Sequence, residues 1–324
     1  MTAPPLTDLK LVVLSGKGGV GKTTVAAALA RAAAGIGKRV LIAQTESAER
    51  LGPMFGRPGP IGADVISLAA GIDGVNMTPK SALHQYGLMV LKYETVYRAL
   101  FENRAVRGFL SAIPGLDAYA MLGKAWWHTT EKVAGRPRYD LVILDGPASG
   151  HAILMLGVPQ AIVDTMPNGP LTRDARLARE LLSDPARAAM VIVTLPEDLP
   201  ARETAELAHA ARETLRMPLG PVVVNALPSD ELNSPEVDAV LTPLRPPTGD
   251  AALDATLHMA TSLRAHRKTA DDVITRLRDD PGLPLVYLPR LPTADLGPPE
   301  IDRLALALGA ADLGAAGGRV IGDG

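Results

Sequence analysis

The chain has 324 residues, of which 47% are hydrophobic and 21% are charged. This composition excludes a largely disordered protein and supplies apolar side chains for one large core. The 33 Lys and Arg residues nearly balance the 35 Asp and Glu residues, so no global field attracts nucleic acid or anionic lipid. The lack of Cys excludes disulfides, thiolate nucleophiles and Cys-ligated zinc or iron–sulfur sites.

The apolar segments are too short for targeting or membrane insertion. The amino-terminal run does not reach the length of a signal peptide, and the longest later run, residues 152–158, is interrupted by Gly157 and Pro159. We therefore expect a soluble, cytoplasmic protein that neither inserts into a membrane nor binds nucleic acid.

In chain order, short apolar runs alternate with helix-like stretches. The strand-like runs are 9–14, 40–43, 139–144, 190–194, 221–224 and 285–288, and the helix-like stretches are 22–34, 171–182, 200–215, 250–278 and 299–308. The strand-like runs are continuously apolar, as expected for strands covered on both faces. The pattern predicts a single α/β domain over residues 1–324, with a doubly wound, mostly parallel sheet and helices on both faces.

Two helix starts carry recognisable local chemistry. Asp198 is predicted to cap a helix that has Pro200 in its first turn, and Asp250 follows a loop at 242–249 that is rich in Pro and Gly.

Residues 80–133 interrupt the alternation and are predicted to form a helical insertion without a strand. Apolar side chains spaced three and four apart fall on one stripe of a helix: Leu83, Tyr86, Val90, Tyr93, Tyr97 and Leu100, followed by Phe109, Leu110, Met121, Leu122, Trp126 and Trp127. The stripe is compatible with packing on the main sheet and with a surface for an apolar client or partner subunit.

Residues 16–24 read GKGGVGKTT, which is a phosphate-loop pattern placed between a strand-like run and a helix-like run. Glycines let successive backbone N–H groups face one anion, and the start of the following helix adds its positive dipole end. Lys22 is predicted to bind the β and γ phosphates of a nucleotide, and the Thr23 hydroxyl is suited to Mg²⁺. The loop residues expected to hold the nucleotide are Gly16, Gly18, Gly19, Val20, Gly21, Lys22, Thr23 and Thr24.

A second lysine, Lys17, lies inside this loop. The full string resembles the deviant phosphate loop of the ATPase class that contains the arsenite-pump ATPase, the guided-entry ATPase for tail-anchored proteins, the Min and Par positioning ATPases and the nitrogenase iron protein. The resemblance implies that Lys17 crosses a dimer interface to the partner's nucleotide. ATP would then form part of the contact between two subunits.

Residues 139–151, YDLVILDGPASGH, combine a strand-like run with an acidic end and a Gly-Pro turn. Asp145 at the carboxyl end of that strand is placed to hold water on Mg²⁺. The segment resembles switch II of the arsenite-pump and guided-entry branch, although Pro147 lacks a preceding Ala and Ser149 replaces Thr. The resemblance extends the nucleotide site to Gly150.

The same resemblance aligns Glu46 with the acidic residue of switch I, which is Asp in that branch. If Glu46 positions or activates the attacking water, its additional methylene moves the carboxylate by about 1 Å, and a misplacement of that size costs about 10²-fold in rate. Slow hydrolysis is therefore an expectation, and the expected catalytic set is Lys17, Lys22, Glu46 and Asp145.

The strand-like run 221–224 is followed by Asn225, whose amide carries both a donor and an acceptor and matches an adenine edge. Asn is also common turn chemistry at strand ends, so spacing alone leaves both interpretations open. The resemblance favours the adenine role for Asn225 and adds Pro289 and Leu291 from a second loop.

The leading hypothesis is a Mg²⁺-dependent, ATP-gated dimer of the arsenite-pump and guided-entry type that acts on a client, partner or membrane protein. The partner subunit is a second copy or a paralogue. Without Cys, the arsenite, zinc-clamp and cluster roles of the class cannot be transferred. The alternatives are a catalytically weak ATP-binding subunit paired with a paralogue, a positioning ATPase of the Min or Par kind, and a kinase, for which no acceptor-site signature is present.

Overall fold

A computed structural model describes residues 4–45, 50–91, 116–244, 246–293 and 295–310. The strands are β1 (Leu11–Ser15), β2 (Val40–Thr45), β3 (Ile66–Ala69), β4 (Ile72–Met77), β5 (Lys132–Val133), β6 (Arg136–Pro137), β7 (Leu141–Asp145), β8 (Ala188–Thr194), β9 (Leu219–Leu227) and β10 (Leu285–Pro289). Glu46, with residues 47–49, lies outside the described residues, as do Tyr93, Tyr97, Leu100, Phe109 and Leu110 of the insertion.

Helices connect the strands. They are α1 (Lys22–Gly35), α2 (Leu51–Met54), α3 (Pro79–Leu91), α4 (Leu116–Thr130), α5 (Ser149–Thr165), α6 (Pro170–Ser183), α7 (Asp198–Ala210), α8 (Pro235–Leu241), α9 (Ala251–Asp279) and α10 (Pro298–Ala310). A π-helical segment, Ala211–Leu215, extends α7.

Eight strands form one sheet in the order β10-β9-β8-β1-β7-β2-β4-β3, in which only β3 runs antiparallel to its neighbour. The predicted mostly parallel α/β fold is confirmed. The strand order reverses around β1, which pairs with β7 on one side and β8 on the other. A crevice at the carboxyl ends of the strands at such a switch point is where open α/β sheets bind ligands.

Helices cover both faces of the sheet. Alternate residues of β1 point to opposite faces: Leu11 and Val13 belong to one buried cluster, and Val12 and Leu14 belong to the other. α1 and α10 pack on the face of Val12, whereas α4, α5, α6, α7 and α9 pack on the face of Leu11. This two-sided burial explains why the central strands read as continuous apolar runs.

All six predicted strands and all five predicted helices are present, with ends that differ by a few residues. The structure also contains β3, β4 and α5, which the sequence did not reveal. β4 carries Asp73, Gly74 and Asn76, residue types that disfavour strands, and α5 contains Pro159 in its interior.

Two local predictions were wrong. Helix α7 begins at Asp198 with Glu197 as its N-cap residue, and Asp198 makes an ion pair with Arg276 instead of capping. The insertion is not free of strand, because β5 pairs with β6 in a two-residue hairpin. Asp250 does cap α9, accepting from the backbone N–H groups of Ala252 (2.8 Å) and Leu253 (3.2 Å).

The described ends of the insertion are helical and face the core. Met121 and Leu122 of α4 are buried in the cluster beneath the sheet, and Leu83 and Trp126 pack against it. Packing on the sheet therefore accounts for these four side chains. The division into one domain with an insertion at 80–133 stays a prediction.

No helix in the described part of the chain is both long and apolar enough to cross a bilayer.

Candidate nucleotide site

The loop after β1 is shaped by close backbone contacts. Gly16 has φ +145°, and a Cβ built there would lie 2.1 Å from the carbonyl oxygen of Val193 in β8. Gly21 has φ +89°, and its Cβ would lie 2.2 Å from Nδ2 of Asn225. Only glycine fits at these two positions, because each combines a left-handed backbone with contact at less than 3 Å.

Lys22 begins α1 and folds back over the loop. Its Nζ donates to the carbonyl oxygens of Gly16 and Lys17, each at 3.2 Å. Burial lowers the pKa of Lys22, and the nearby Asp145 carboxylate opposes this shift. The ammonium group is thus held over the loop at the positive end of a helix, where an anion would bind.

Thr23 and Asp145 meet next to this lysine. The Thr23 hydroxyl donates to Asp145 Oδ2 at 2.7 Å, which joins the start of α1 to the end of β7. Asp145 is only 4% exposed, and burial raises its pKa, while hydrogen bonds from Gln44 and Thr23 and the charge of Lys22 oppose that rise. The two residues predicted to hold Mg²⁺ are therefore in direct contact.

Gln44, which the sequence analysis did not single out, is a further member of this cluster. Its Nε2 donates to Asp145 Oδ2 at 3.0 Å, and the following Thr45 donates its hydroxyl to the Asp145 carbonyl oxygen at 3.1 Å. β2 and β7 are paired with Gln44 directly opposite Asp145, which explains the contact. The signal in the sequence is a polar residue, Gln44, at the carboxyl end of β2, the strand next to the one that ends in Asp145.

Two buried polar atoms, one at the end of β2 and one after β7, have no hydrogen-bond partner among the residues that the structure describes. They are Oε1 of Gln44 and Oγ of Ser149, the first residue of α5. Buried polar groups in proteins are normally paired, often with ordered water. The unpaired Gln44 oxygen, whose own side chain contacts the buried Asp145 carboxylate, fits a hydrated cation better than an apolar ligand.

The turn after β7 packs directly on the phosphate loop. The Gly146 N–H donates to the Leu14 carbonyl (3.0 Å), and the Ser149 N–H donates to the Gly16 carbonyl (3.3 Å). A Cβ at Gly146 would lie 2.7 Å from the Leu14 oxygen. Movement of this turn therefore disturbs the loop backbone. Gly150, in the first turn of α5, is exposed.

Asn225 and the β10 loop lie farther along the same edge of the sheet. The Asn225 side chain donates to the Val20 carbonyl at 2.9 Å, so its amide supports the phosphate loop. Pro289 ends β10 and is paired with Leu227, and Leu291 is partly buried against the apolar cluster on the α1 face of the sheet. Of the remaining predicted loop residues, Gly18 and Gly19 are exposed, whereas Val20 and Thr24 are buried.

A model of the family described as "Anion-transporting ATPase" matches residues 9–169, which include the phosphate loop, β7 and the turn after it. Over these residues the chain is similar to this ATPase family. The resemblance inferred from the sequence is confirmed by similarity to proteins named arsenical pump-driving ATPase and ASNA1 homolog.

Three relatives illustrate the similarity. "ATPase BagA" of Mycobacterium tuberculosis is 28% identical over 226 residues, covering 68% of this chain and 66% of that protein. An "Arsenical pump-driving ATPase" of Escherichia coli is 27% identical over 194 residues, covering 55% of this chain and 33% of the pump protein. "ATPase ASNA1 homolog 2" of Paramecium tetraurelia is 32% identical over 156 residues, covering 47% and 45%. The chain thus spans slightly less than two thirds of the mycobacterial relative and a third of the pump ATPase.

Proposed function

We propose that the chain binds ATP with Mg²⁺ at residues 16–24 and hydrolyses it as an ATP-gated dimer that acts on a client or partner protein in the cytoplasm. The observation that carries this proposal is the contact between the Thr23 hydroxyl and Asp145 directly beside the loop-bound Lys22 ammonium. A phosphate cradle, a hydroxyl ligand and an acidic strand end meet in one place, as phosphoryl chemistry requires.

Phosphate binding uses groups that the loop already presents. Lys22 exchanges its two backbone carbonyl partners for phosphate oxygens, which are stronger, charged acceptors. The N–H groups at the start of α1 point toward the same anion. Burial lowers the pKa of Lys22, and a phosphate there would favour its charged form.

Thr23 and Asp145 are the residues that would hold Mg²⁺, Asp145 through water. The ion would supply charge neutralisation and orientation of the β and γ phosphate oxygens. Gln44 donates to the same Asp145 oxygen as Thr23 and helps to fix the carboxylate, and its unpaired Oε1 is able to accept from ordered water.

Hydrolysis requires a positioned water and a sensor of the γ phosphate. Glu46 is proposed for the water because it follows β2 directly after Gln44 and Thr45. The turn at Gly146, with Gly150 beyond it, is proposed as the sensor because it rests on the phosphate loop. The additional methylene of Glu46 relative to Asp predicts slow turnover.

The adenine ring is proposed to bind along the edge formed by Asn225, Pro289 and Leu291. Asn225 retains a second N–H and an acceptor oxygen beyond its bond to Val20, so support of the loop and adenine binding are compatible. The apolar side chains of the β10 loop suit the ring faces.

The dimer is proposed because of Lys17, the additional loop lysine. Its side chain is 29% exposed, and its ammonium group makes none of the contacts that the Lys22 ammonium group makes. In this proposal Lys17 reaches the partner's nucleotide. The helical insertion at 80–133 is proposed to change with the nucleotide state and to bind an apolar client.

Sedimentation of the wild type and Lys17→Ala, each with Mg²⁺ and either ADP or a non-hydrolysable ATP analogue, tests the proposal. We expect the analogue to convert wild type to a dimer, ADP to leave it largely monomeric, and Lys17→Ala to remain monomeric with normal nucleotide affinity. An unchanged wild-type profile would refute the shared-nucleotide dimer.

A single-turnover assay on the same dimer separates the two catalytic alternatives. Phosphate release at a slow but measurable rate supports an ATPase. Normal ATP binding without phosphate release would instead identify an ATP-holding subunit that needs a paralogue.

A further inference from the structure

Lys17 is held within its own chain by Glu203 of α7. The Lys17 Nζ and Glu203 Oε1 atoms lie 3.0 Å apart, and the two side chains are 29% and 32% exposed. The residues are far apart in the sequence, so no local pattern predicts the pair. The same lysine is the one proposed to leave its own subunit and contact a partner's nucleotide.

The sheet order creates this contact. β8 is the neighbour of β1, with Ser15 opposite Ile192, so the loop after β1 and the helix after β8 lie side by side. Gly16 packs against the Val193 carbonyl, which fixes the loop at this distance. Burial of Ala201 and Thr204 sets the rotation of α7 and turns Glu203 toward the loop.

Building on the proposed function, we propose that Glu203 is a cis latch on Lys17. It holds the lysine in its own chain until the phosphates of an ATP-bound partner replace the carboxylate. One ammonium group cannot pair fully with the Glu203 carboxylate and with phosphates on another subunit. Each dimer must therefore break two latches, one in each protomer.

The latch raises the protein concentration at which either nucleotide-bound form dimerises. A triphosphate offers more negative charge than a diphosphate and competes better for Lys17. The Lys17–Glu203 pair adds a fixed cost to dimer formation with either nucleotide, which suppresses the weaker ADP dimer at concentrations where the ATP dimer forms.

The size of the effect follows from the exposure of the pair. Partly exposed ion pairs contribute modestly, equivalent to about 2- to 5-fold in an equilibrium constant. With two latches in a dimer, the dissociation constant is expected to fall by about 4- to 25-fold when Glu203 cannot pair.

Glu203→Gln is the direct test, measured as the monomer–dimer constant by sedimentation with Mg²⁺ and a non-hydrolysable ATP analogue. Glu206→Gln is the matched control, since it removes the same charge from an exposed position on the same helix. We expect Glu203→Gln to dimerise about 4- to 25-fold more tightly than wild type, to begin dimerising with ADP, and to keep the monomer's nucleotide affinity. Glu206→Gln should match the wild type.

The double variant Lys17→Ala with Glu203→Gln distinguishes a latch from a general effect of charge. If Glu203 acts through Lys17, the second substitution changes nothing in the Lys17→Ala background. Tightening in that background, an unchanged constant for Glu203→Gln, or weaker dimerisation of Glu203→Gln would each refute the latch. If the wild type dimerises with the ATP analogue, refutation of the latch leaves the proposed function intact. If neither the wild type nor Glu203→Gln dimerises, both proposals are wrong.

Discussion

Gly16 and Gly18 illustrate how different two glycines of one loop are. Gly16 combines φ +145° with a Cβ position 2.1 Å from the Val193 oxygen, whereas a Cβ at Gly18 would meet no heavy atom of the described residues within 4 Å. The motif treats both as loop glycines. Only the first is demanded by packing between β1 and β8.

Gly16→Ala is therefore expected to lower the free energy of unfolding by at least about 2 kcal/mol, because a strained backbone and an overpacked contact both add to the cost. Gly18→Ala should stay within about 0.5 kcal/mol of the wild type. Urea denaturation of the nucleotide-free protein measures both. Equal midpoints for the two variants would show that the Gly16–Val193 contact does not constrain the loop.

At the scale of single residues, the sequence singled out Lys22, Thr23 and Asp145, which the structure brings together, because the phosphate loop and an acidic strand end are sequence features. Gln44 and Glu203 were not found. Their contacts depend on which strands are neighbours, and the order around β1 cannot be derived from apolar runs.

At the scale of elements, the helix ends at Asp250 and Asp198 differ in the role of the aspartate. Asp250 caps α9 through two backbone N–H groups, whereas Asp198 lies in the first turn of α7 and pairs with Arg276 at the surface. Asp250→Ala should cost about 1 kcal/mol of unfolding free energy, and Asp198→Ala about 0.5 kcal/mol. Chemical denaturation checks the order of the two values. A larger loss for Asp198→Ala would contradict the assignment of the caps.

Helix α4 contains a buried imidazole, His128, which is 3% exposed and bonds through Nδ1 to Glu131 at 2.9 Å. Its Nε2 has no partner within the described residues. Burial lowers the pKa of His128 below its usual 6.5; Glu131 opposes this shift, whereas the nearby positive charges of Lys124 and Arg138 add to it. The helix therefore buries a neutral histidine beside the β5–β6 hairpin.

This burial predicts a pH dependence of stability. The folded state holds His128 neutral at a pH where the unfolded chain already binds the proton, so stability falls as pH drops below about 6.5 and is constant above it with respect to this group. The slope contributed by this group approaches about 1.4 kcal/mol per pH unit. His128→Asn should remove that component between pH 5 and 7, while replacement of the exposed His209 by Asn should keep it. An unaltered slope in His128→Asn would contradict the assignment.

At the scale of elements, continuous apolar runs sufficed for the six strands that helices cover on both faces. The edge strand β3 and its neighbour β4 escaped prediction, because Gly74 and Asn76 interrupt the apolar pattern of β4 and because β3 is partly exposed. Helix α5 was missed for a similar reason. Pro159 is typical of a helix end, yet the helix continues through it and the proline is buried.

For the whole molecule, the alternation of strands and helices predicted the fold class, and the family match over residues 9–169 supports it. The switch point at β1 then explains why the loop, the acidic strand end and Glu203 of α7 meet at one edge of the sheet. None of these patterns predicts how two copies assemble, since assembly depends on contacts between two chains.

The structure of the protein with Mg²⁺ and a non-hydrolysable ATP analogue tests the central claim most directly. We predict one nucleotide in each loop at residues 16–24, enclosed between two copies, with Lys17 of each copy on the other's phosphates and no longer on Glu203. Empty loops, or filled loops that face solvent with Lys17 still paired to Glu203, would contradict it.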